Sequence, residues 1–247
     1  MKRRQKIRKA ILIITFLFFP MLLNFFSPFL SMWGASLGII SGSLLIFLSL
    51  FFSAIFTGRA FCSWVCPTAG LQRALFLGNN KKIKRNKWTL SKYVIWIPWF
   101  SFMVIFFIKA RGIKSIDFLF MTPKGISLDQ PFKYIIFYSV LLIITVLSLI
   151  IGRRAFCHYG CWIAPFMELG QKLGRLLRLP SLKLKVHSEK CIQCSQCTKI
   201  CVKSLEVKEM VLQKEINHKE CILCGECVDI CPKGAIQFTF GKRNKIK

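Results

Sequence analysis

From Ala10 to Gly58 the sequence carries no Lys, Arg, Asp, Glu or His. A run this long suits two membrane spans of roughly 20 residues each, joined by a short turn. The expected spans are Ala10–Leu30 and Ser36–Thr57, and further apolar blocks follow at Tyr93–Ile108, extended by Trp88–Ser91, and at Tyr134–Ile151. The chain of 247 residues is 54% hydrophobic with 24 Phe and only 10 acidic residues, a composition foreign to soluble domains. The fold expected for this part is an all-α transmembrane domain of four helices. A cleaved secretory signal fits poorly, because the first apolar region is long, Pro20 interrupts it and no small-residue cleavage site follows.

Positive residues are retained on the cytoplasmic side of a membrane. Six Lys and Arg precede Ala10, eight lie between Arg59 and Lys92 without an acid, and the turn from Ser27 to Ser36 has none. The loop from Lys109 to Lys133 carries five with two acids, so an arrangement with both termini cytoplasmic satisfies most of the pattern. The expected location is a bacterial-type inner (cytoplasmic) membrane, crossed several times. The net charge of +27 tracks the membrane flanks, where topology and anionic lipid account for it; no nucleic-acid-binding fold is legible.

The stretch from Met167 to Lys247 holds eight of the ten acids, which marks a change of domain. The expected division is a membrane domain over 1–166, an amphipathic linker over 167–184, a cysteine-rich domain over 185–240 and a basic tail over 241–247. Within the cysteine-rich part, Cys191, Cys194, Cys197 and Cys201 repeat the spacing of Cys221, Cys224, Cys227 and Cys231. Zinc usually uses paired CxxC arrangements and leaves a third cysteine at that spacing without a task. Disulfides are disfavoured on the cytoplasmic side.

A second pattern lies in the membrane part. Phe61-Cys62-Ser63-Trp64-Val65-Cys66-Pro67 and Phe156-Cys157-His158-Tyr159-Gly160-Cys161 each follow an apolar block and a Gly-Arg turn. Helical spacing would put Cys62 with Cys66, and Cys157 with Cys161, on a shared face. Repeated units in membrane proteins commonly build a site between them. Four soft ligands there suit an iron–sulfur centre, another soft metal or a dithiol couple, and small buried cysteines packing a helix end remain an alternative. His158 suits either acceptance of a quinol proton or an ordinary interfacial side chain, the commoner case. Trp64, Tyr159 and Trp162 suit either a quinone pocket or an interfacial aromatic belt. No CxxCH haem motif or Gly-rich nucleotide loop is present.

The CxxCxxCxxxC runs resemble bacterial two-cluster ferredoxins, in which the fourth cysteine of each run serves the other cluster. That resemblance implies a small α+β two-cluster (two 4Fe-4S) ferredoxin-like domain, with Cys191, Cys194, Cys197 and Cys231 holding one 4Fe-4S cluster and Cys221, Cys224, Cys227 and Cys201 the other. Strands are expected at Lys185–His187, Glu215–Asn217 and Ala235–Phe238. Val202 stands where the family has a proline after the fourth cysteine. The whole arrangement resembles the NapH-like and NosR-like membrane ferredoxins. The resemblance implies an electron carrier, the membrane subunit of a quinol dehydrogenase in place of a stand-alone enzyme, working between the quinone pool and a partner iron–sulfur protein or reductase. An alternative role is assembly of a metalloenzyme by reduction of a metal or thiol; a redox sensor lacks an output domain.

Overall fold

The computed structural model describes residues 2–83 and 87–242. Its elements are α1 (Arg3–Leu17), α2 (Phe19–Leu22), α3 (Pro28–Leu37), β1 (Ile39–Ser41), α4 (Gly42–Thr57), α5 (Phe61–Trp64), α6 (Pro67–Ala74), α7 (Ser91–Lys109), β2 (Ser115–Asp117), α8 (Pro131–Ile151), α9 (Ala155–Tyr159), α10 (Ile163–Leu176), β3 (Pro180–Val186), α11 (Gln196–Ile200), α12 (Val207–Leu212), α13 (Glu226–Ile230) and β4 (Ile236–Lys242), with short 3-10 turns between some of them.

Among the described residues, α7 and α8 are long and apolar enough to cross a membrane, and α4 is a shorter apolar helix. The first expected span is not one helix. Helix α1 stops at Leu17, and Pro20 and Pro28 each sit in the first turn of a new helical piece. Proline has no N–H to continue a helix, so it favours a fresh start. The freed backbone groups find side chains: Trp162 Nε1 donates to the Phe26 carbonyl at 2.9 Å and Trp99 Nε1 to that of Pro28 at 2.8 Å. The Asn24 N–H donates to Ser127 Oγ, and its amide to the Met121 carbonyl. The second expected span also starts late. Residues 39–41 pair in parallel with residues 115–117 as β1 and β2, which delays α4 to Gly42.

Helix α10 occupies the stretch expected to be a linker. It lies buried along α4, with the Phe166 ring stacked on Phe47 at 5.5 Å and edge-on to Trp99 at 5.6 Å. The last 60 or so residues form a small α+β unit built on the antiparallel pair β3–β4, in register from Pro180 opposite Lys242 to Val186 opposite Ile236. Its core comprises Leu184, Val207, Val211, Ile216, Leu223 and Ile236. No strand forms at Glu215–Asn217; Ile216 is buried and Asn217 Oδ1 accepts from Arg175 Nη1 of α10, so this segment seats the unit on its neighbour. Of the expected basic tail, Gly241 and Lys242 belong to β4, and residues 243–247 lie outside the described residues.

Candidate metal centres

The two Gly-Arg turns explain how both FCxxxC stretches come to lie beneath the helix ends. Helix α4 ends at Gly58 (φ 61°, ψ −134°) and α8 at Gly152 (φ 121°, ψ −152°), conformations that L residues rarely adopt. A Cβ at Gly152 would also stand 2.4 Å from the Lys81 carbonyl oxygen. After each turn the chain enters a helix of one turn, α5 or α9, carrying Cys62 or Cys157.

The second cysteine of each pair is not on the same helix, contrary to expectation. Pro67 opens α6 and drives the residue before it out of helical geometry, so Cys66 is extended (φ −60°, ψ 120°). Cys161 follows Gly160, which ends α9. The four thiols nevertheless come together, all buried. Burial pushes Cys66 up to about 12, and Cys62 and Cys157 add to the rise. Burial likewise raises Cys161, helped by Cys157, Cys62 and Cys66.

Around these sulfurs stand polar groups that a cluster of neutral thiols would not require. The Gln72 amide donates to Cys157 Sγ at 3.1 Å. Arg8, Arg59 and Arg154 are each no more than 1% exposed. Arg154 donates through Nη1 to the Cys62 carbonyl at 2.8 Å, while its Nε and Nη2 have no hydrogen-bond partner among the described residues. An isolated buried guanidinium is costly unless an anion offsets it. A thiolate-ligated iron–sulfur group supplies such an anion, so this donor set fits one.

In the tail, Cys191, Cys194, Cys197 and Cys231 line one cavity, and Cys201, Cys221, Cys224 and Cys227 line a second. The two binding loops repeat in backbone as well as in sequence. Gln193 and Ser195 are left-handed in the first (φ 55° and 60°), as Leu223 and Gly225 are in the second (φ 52° and 73°). The short helices α11 and α13 follow and pack on each other, and each delivers its fourth cysteine to the other loop's cavity. No three His, Cys, Asp or Glu side chains among the described residues close on a single ion. The cysteines wall cavities instead, which is the arrangement a four-iron cube with one thiolate per corner requires.

The second of these cavities abuts the FCxxxC cysteines. Trp64 Nε1 donates to the Leu223 carbonyl at 3.4 Å, Gln5 Nε2 to that of Cys224 at 3.1 Å, and Lys203 Nζ to that of Cys157 at 3.4 Å. Val202, at the position of the absent proline, is 1% exposed and shares one apolar core with Cys62, Cys161, Ile222 and Cys224. Beside it lies a buried ionic knot: Arg59 and Lys92 each pair with Glu168 and Glu220, Lys203 pairs with Glu220, and the Tyr93 hydroxyl donates to Glu168. Burial lowers His158 well below the usual imidazole range, with Lys203 adding to the effect. His187 lies near Glu189, and His218 Nδ1 accepts from the Glu220 N–H.

A larger cavity lies against Cys66 and Cys161. It has a volume of about 480 Å³ and is lined by Cys66 and Cys161, by Phe19, Phe29 and Val140, and by Asn24, Gln130 and Lys133. Trp162 lines it; Trp64 and Tyr159 do not. The residues that sequence reasoning missed are the buried charges. The available signal was the scarcity of acids, which makes Glu168, just after the second cysteine pair, conspicuous.

Comparison with known proteins agrees with this chemistry. The 4Fe-4S binding domain matches twice, over residues 41–86 and 135–180, and the 4Fe-4S dicluster domain matches residues 185–236. The putative electron transport protein YccM of Escherichia coli is 26% identical over 185 residues, covering 69% of this chain and 49% of that protein. The methylamine utilization ferredoxin-type protein MauN of Methylorubrum extorquens is 21% identical over 178 residues, covering 70% of this chain and 59% of its own. The match thus spans about half of the first relative's length and under two thirds of the other's. An uncharacterized protein of Methanocaldococcus jannaschii is 24% identical over 231 residues, with 87% and 89% covered. No solved structure matches the chain. Carrying iron–sulfur domains in both halves and resembling relatives named for electron transport, the chain belongs to the ferredoxin-type 4Fe-4S proteins.

Proposed function

We propose that this protein is a membrane-anchored relay that carries electrons between a quinone in the bilayer and a partner iron–sulfur protein or reductase, as in the NapH-like and NosR-like systems it resembles. The observation that carries the reading is the stacking of three sites. The apolar cavity, the four buried cysteines of the FCxxxC pairs and the tail's second cysteine cavity adjoin one another in that order. A relay needs its stations this close, because a gap filled with protein slows electron transfer.

Four membrane passages are the reading of α1–α3 taken together, α4, α7 and α8. Only 17% of the most apolar window of α7 and of α8 is buried, which suits lipid around them. The interrupted first passage is tolerated because it lies against protein and lines a cavity. Cys191, Cys194, Cys197 and Cys231 hold one 4Fe-4S cluster, Cys201, Cys221, Cys224 and Cys227 a second, and Cys62, Cys66, Cys157 and Cys161 a third centre. Bound clusters supply one-electron carriage. The protein's own part is to hold the thiols, shield them and offset their charge. Gln72 and Arg154 do the last of these at the membrane centre, and the domain matches over 41–86 and 135–180 include both of its cysteine pairs.

The test is iron and sulfide content with low-temperature EPR on anaerobically purified protein. About twelve irons are expected in the wild type and about eight in Cys62→Ser/Cys157→Ser, with loss of one signal. About eight in both would remove the third centre. A quinol analogue is expected to reduce the wild type and to fail with Val140→Trp, which fills the apolar cavity; equal reduction of both would refute the quinone site.

A further inference from the structure

The connection between α7 and α8, residues 110–130, stands at the ends of those helices remote from the cysteine-rich unit. The far end of α8 meets that unit through Arg153, which donates to the Lys199 and Cys201 carbonyls, and the 21 residues of the helix set its two ends about 30 Å apart. For a segment in water the connection is folded inside out. Its polar Thr122 and Ser127 are buried, whereas Ile113 is 64% and Ile116 66% exposed, and Phe118, Leu119, Met121 and Ile126 are each more than 40% exposed. The buried hydroxyls are satisfied by protein. Thr122 Oγ1 accepts from the Asn24 amide at 3.1 Å, and Ser127 Oγ accepts the Asn24 N–H at 2.9 Å and donates to the Met21 carbonyl.

This exposure is not that of a loose loop. Residues 115–117 pair with residues 39–41, the Lys114 N–H donates to the Gly38 carbonyl at 2.8 Å, and the Phe118 ring lies 5.1 Å from that of Phe25. The apolar surface continues onto the helices. Phe29, Trp33 and Leu37 are exposed along one face of α3, with Leu37 next to Gly38, and Ile108 and Phe132 are exposed at the adjoining ends of α7 and α8. Arg111, Lys114 and Lys124 are exposed within the connection.

We propose that the connection lies in the water–lipid interface of the outer leaflet, with Ile113, Ile116 and Phe118 among the acyl chains and Arg111, Lys114 and Lys124 at the phospholipid phosphates. The proposal rests on the membrane reading above. Large apolar side chains flanked by cations are what an interfacial segment presents to lipid, the long cationic stems reaching back to the headgroups. Continuity with the exposed faces of α3, α7 and α8 selects lipid over a protein partner, because a protein seated on the patch would overlap the lipid that covers those faces. The interface also gives a place to the cations of this connection, which retention on the cytoplasmic side leaves out.

The test places p-benzoylphenylalanine at Ile116, or as a control at the exposed Gln213 of the cysteine-rich unit, in full-length cluster-loaded protein. The protein is reconstituted in vesicles of phosphatidylethanolamine and phosphatidylglycerol, irradiated and read by intact-mass spectrometry. A lipid adduct is expected at Ile116 and none at Gln213. Each open apolar side chain is worth about tenfold in partition, so Ile113→Asn/Phe118→Asn should cut the Ile116 adduct about 100-fold with iron content unchanged. If that variant loses iron, the comparison of Ile116 with Gln213 decides. No adduct at Ile116, equal adducts at both positions, a cross-link between two copies of the chain, or a yield unchanged in the iron-loaded double variant would overturn the proposal. Retention in carbonate-washed membranes is measured first: loss of the chain in the wash sinks the membrane reading, whereas retention without a lipid adduct at Ile116 sinks only this inference.

Discussion

Replacing Arg154 by Met should lower the midpoint potential of the centre proposed at Cys62, Cys66, Cys157 and Cys161. Arg154 is fully buried, sits in a left-handed conformation (φ 53°) and spends one of its nitrogens on the Cys62 carbonyl. Two of its other N–H-bearing nitrogens have no partner among the described residues. It also acts electrostatically on both Cys62 and Cys224, so its charge is felt at the membrane cysteines and at the adjoining tail cavity. At an effective dielectric of about 20, a unit charge about 8 Å away contributes about 2 kcal/mol. For a one-electron couple that is about 90 mV. Removing a cation disfavours the reduced, more negative state, so the shift should be downward. The assay is an anaerobic potentiometric titration followed by EPR, with iron content as the control for loading. An unchanged or raised potential in a fully loaded variant would refute the view that Arg154 serves as counter-charge to this centre. In iron-free protein the guanidinium lacks its anion, and Arg154→Met should leave the melting temperature unchanged or raise it.

Gln72→Leu removes the N–H donated to Cys157 Sγ and should lower the same potential by about 60 mV, the equivalent of about 1.4 kcal/mol for one electron, in the same titration. Gly70→Ala forces α6 off α1 and should destabilise the protein by about 1–3 kcal/mol, read as a lower melting temperature in detergent. Glu220→Gln leaves Arg59 and Lys92 to share Glu168, takes from Lys203 its carboxylate partner, and should cost about 3–5 kcal/mol, seen as faster proteolytic release of the tail. Burial pushes the Glu220 carboxyl up, but Lys203, Arg59 and Lys92 outweigh it and hold it well below the usual range. A depressed folded pKa stabilises above the unfolded value of about 4.3 and fades as pH falls through the folded one. Release of the tail should therefore be flat from pH 8 to about 5 and accelerate only in stronger acid; acceleration already at pH 6 would contradict this.

The helices that touch little else were legible. Tyr134–Ile151 lies within α8, and Tyr93–Ile108 within α7, because an unbroken apolar run leaves the backbone no alternative but to satisfy itself as a helix. The first apolar run was misleading for the opposite reason. Its interruption depends on Trp99 and Trp162, 70 and more residues away, whose indoles take the freed carbonyls. The cysteines themselves were legible from spacing, but not how each pair is held. Helical periodicity put Cys62 and Cys66 on one face, and Pro67 overrode it. The buried charges were illegible. An arginine after a membrane helix reads as a topology signal whether it faces lipid headgroups, as Arg111 would, or lies beneath the surface as Arg59 and Arg154 do.

The use of acids in this chain supports a tail that is fixed in place and does not swing on a tether. Of the seven Asp and Glu residues in the cysteine-rich unit, Glu220, Glu226 and Asp229 each pair with a cation from the first 92 residues of the chain. Arg4 holds Asp229 through both carboxylate oxygens, at 3.1 and 2.7 Å, and its guanidinium also covers the Phe238 ring at 4.7 Å. Arg8 reaches Glu226, while Arg59 and Lys92 reach Glu220. Detaching the tail would leave these carboxylates and their partners to be rehydrated separately, and it would expose Val202 and Ile222. A surface attraction would tolerate many orientations. Paired charges buried on both sides tolerate one, because any displacement strands an ion without its partner. The clamp also lies next to the second cysteine cavity, at Gly225–Glu226 and at Glu220–Cys221. The contacts that dock the tail are thus the ones that fix its nearer cysteines against Cys62 and Cys157. An electron route between them then needs no domain motion, and its rate should be insensitive to solvent viscosity.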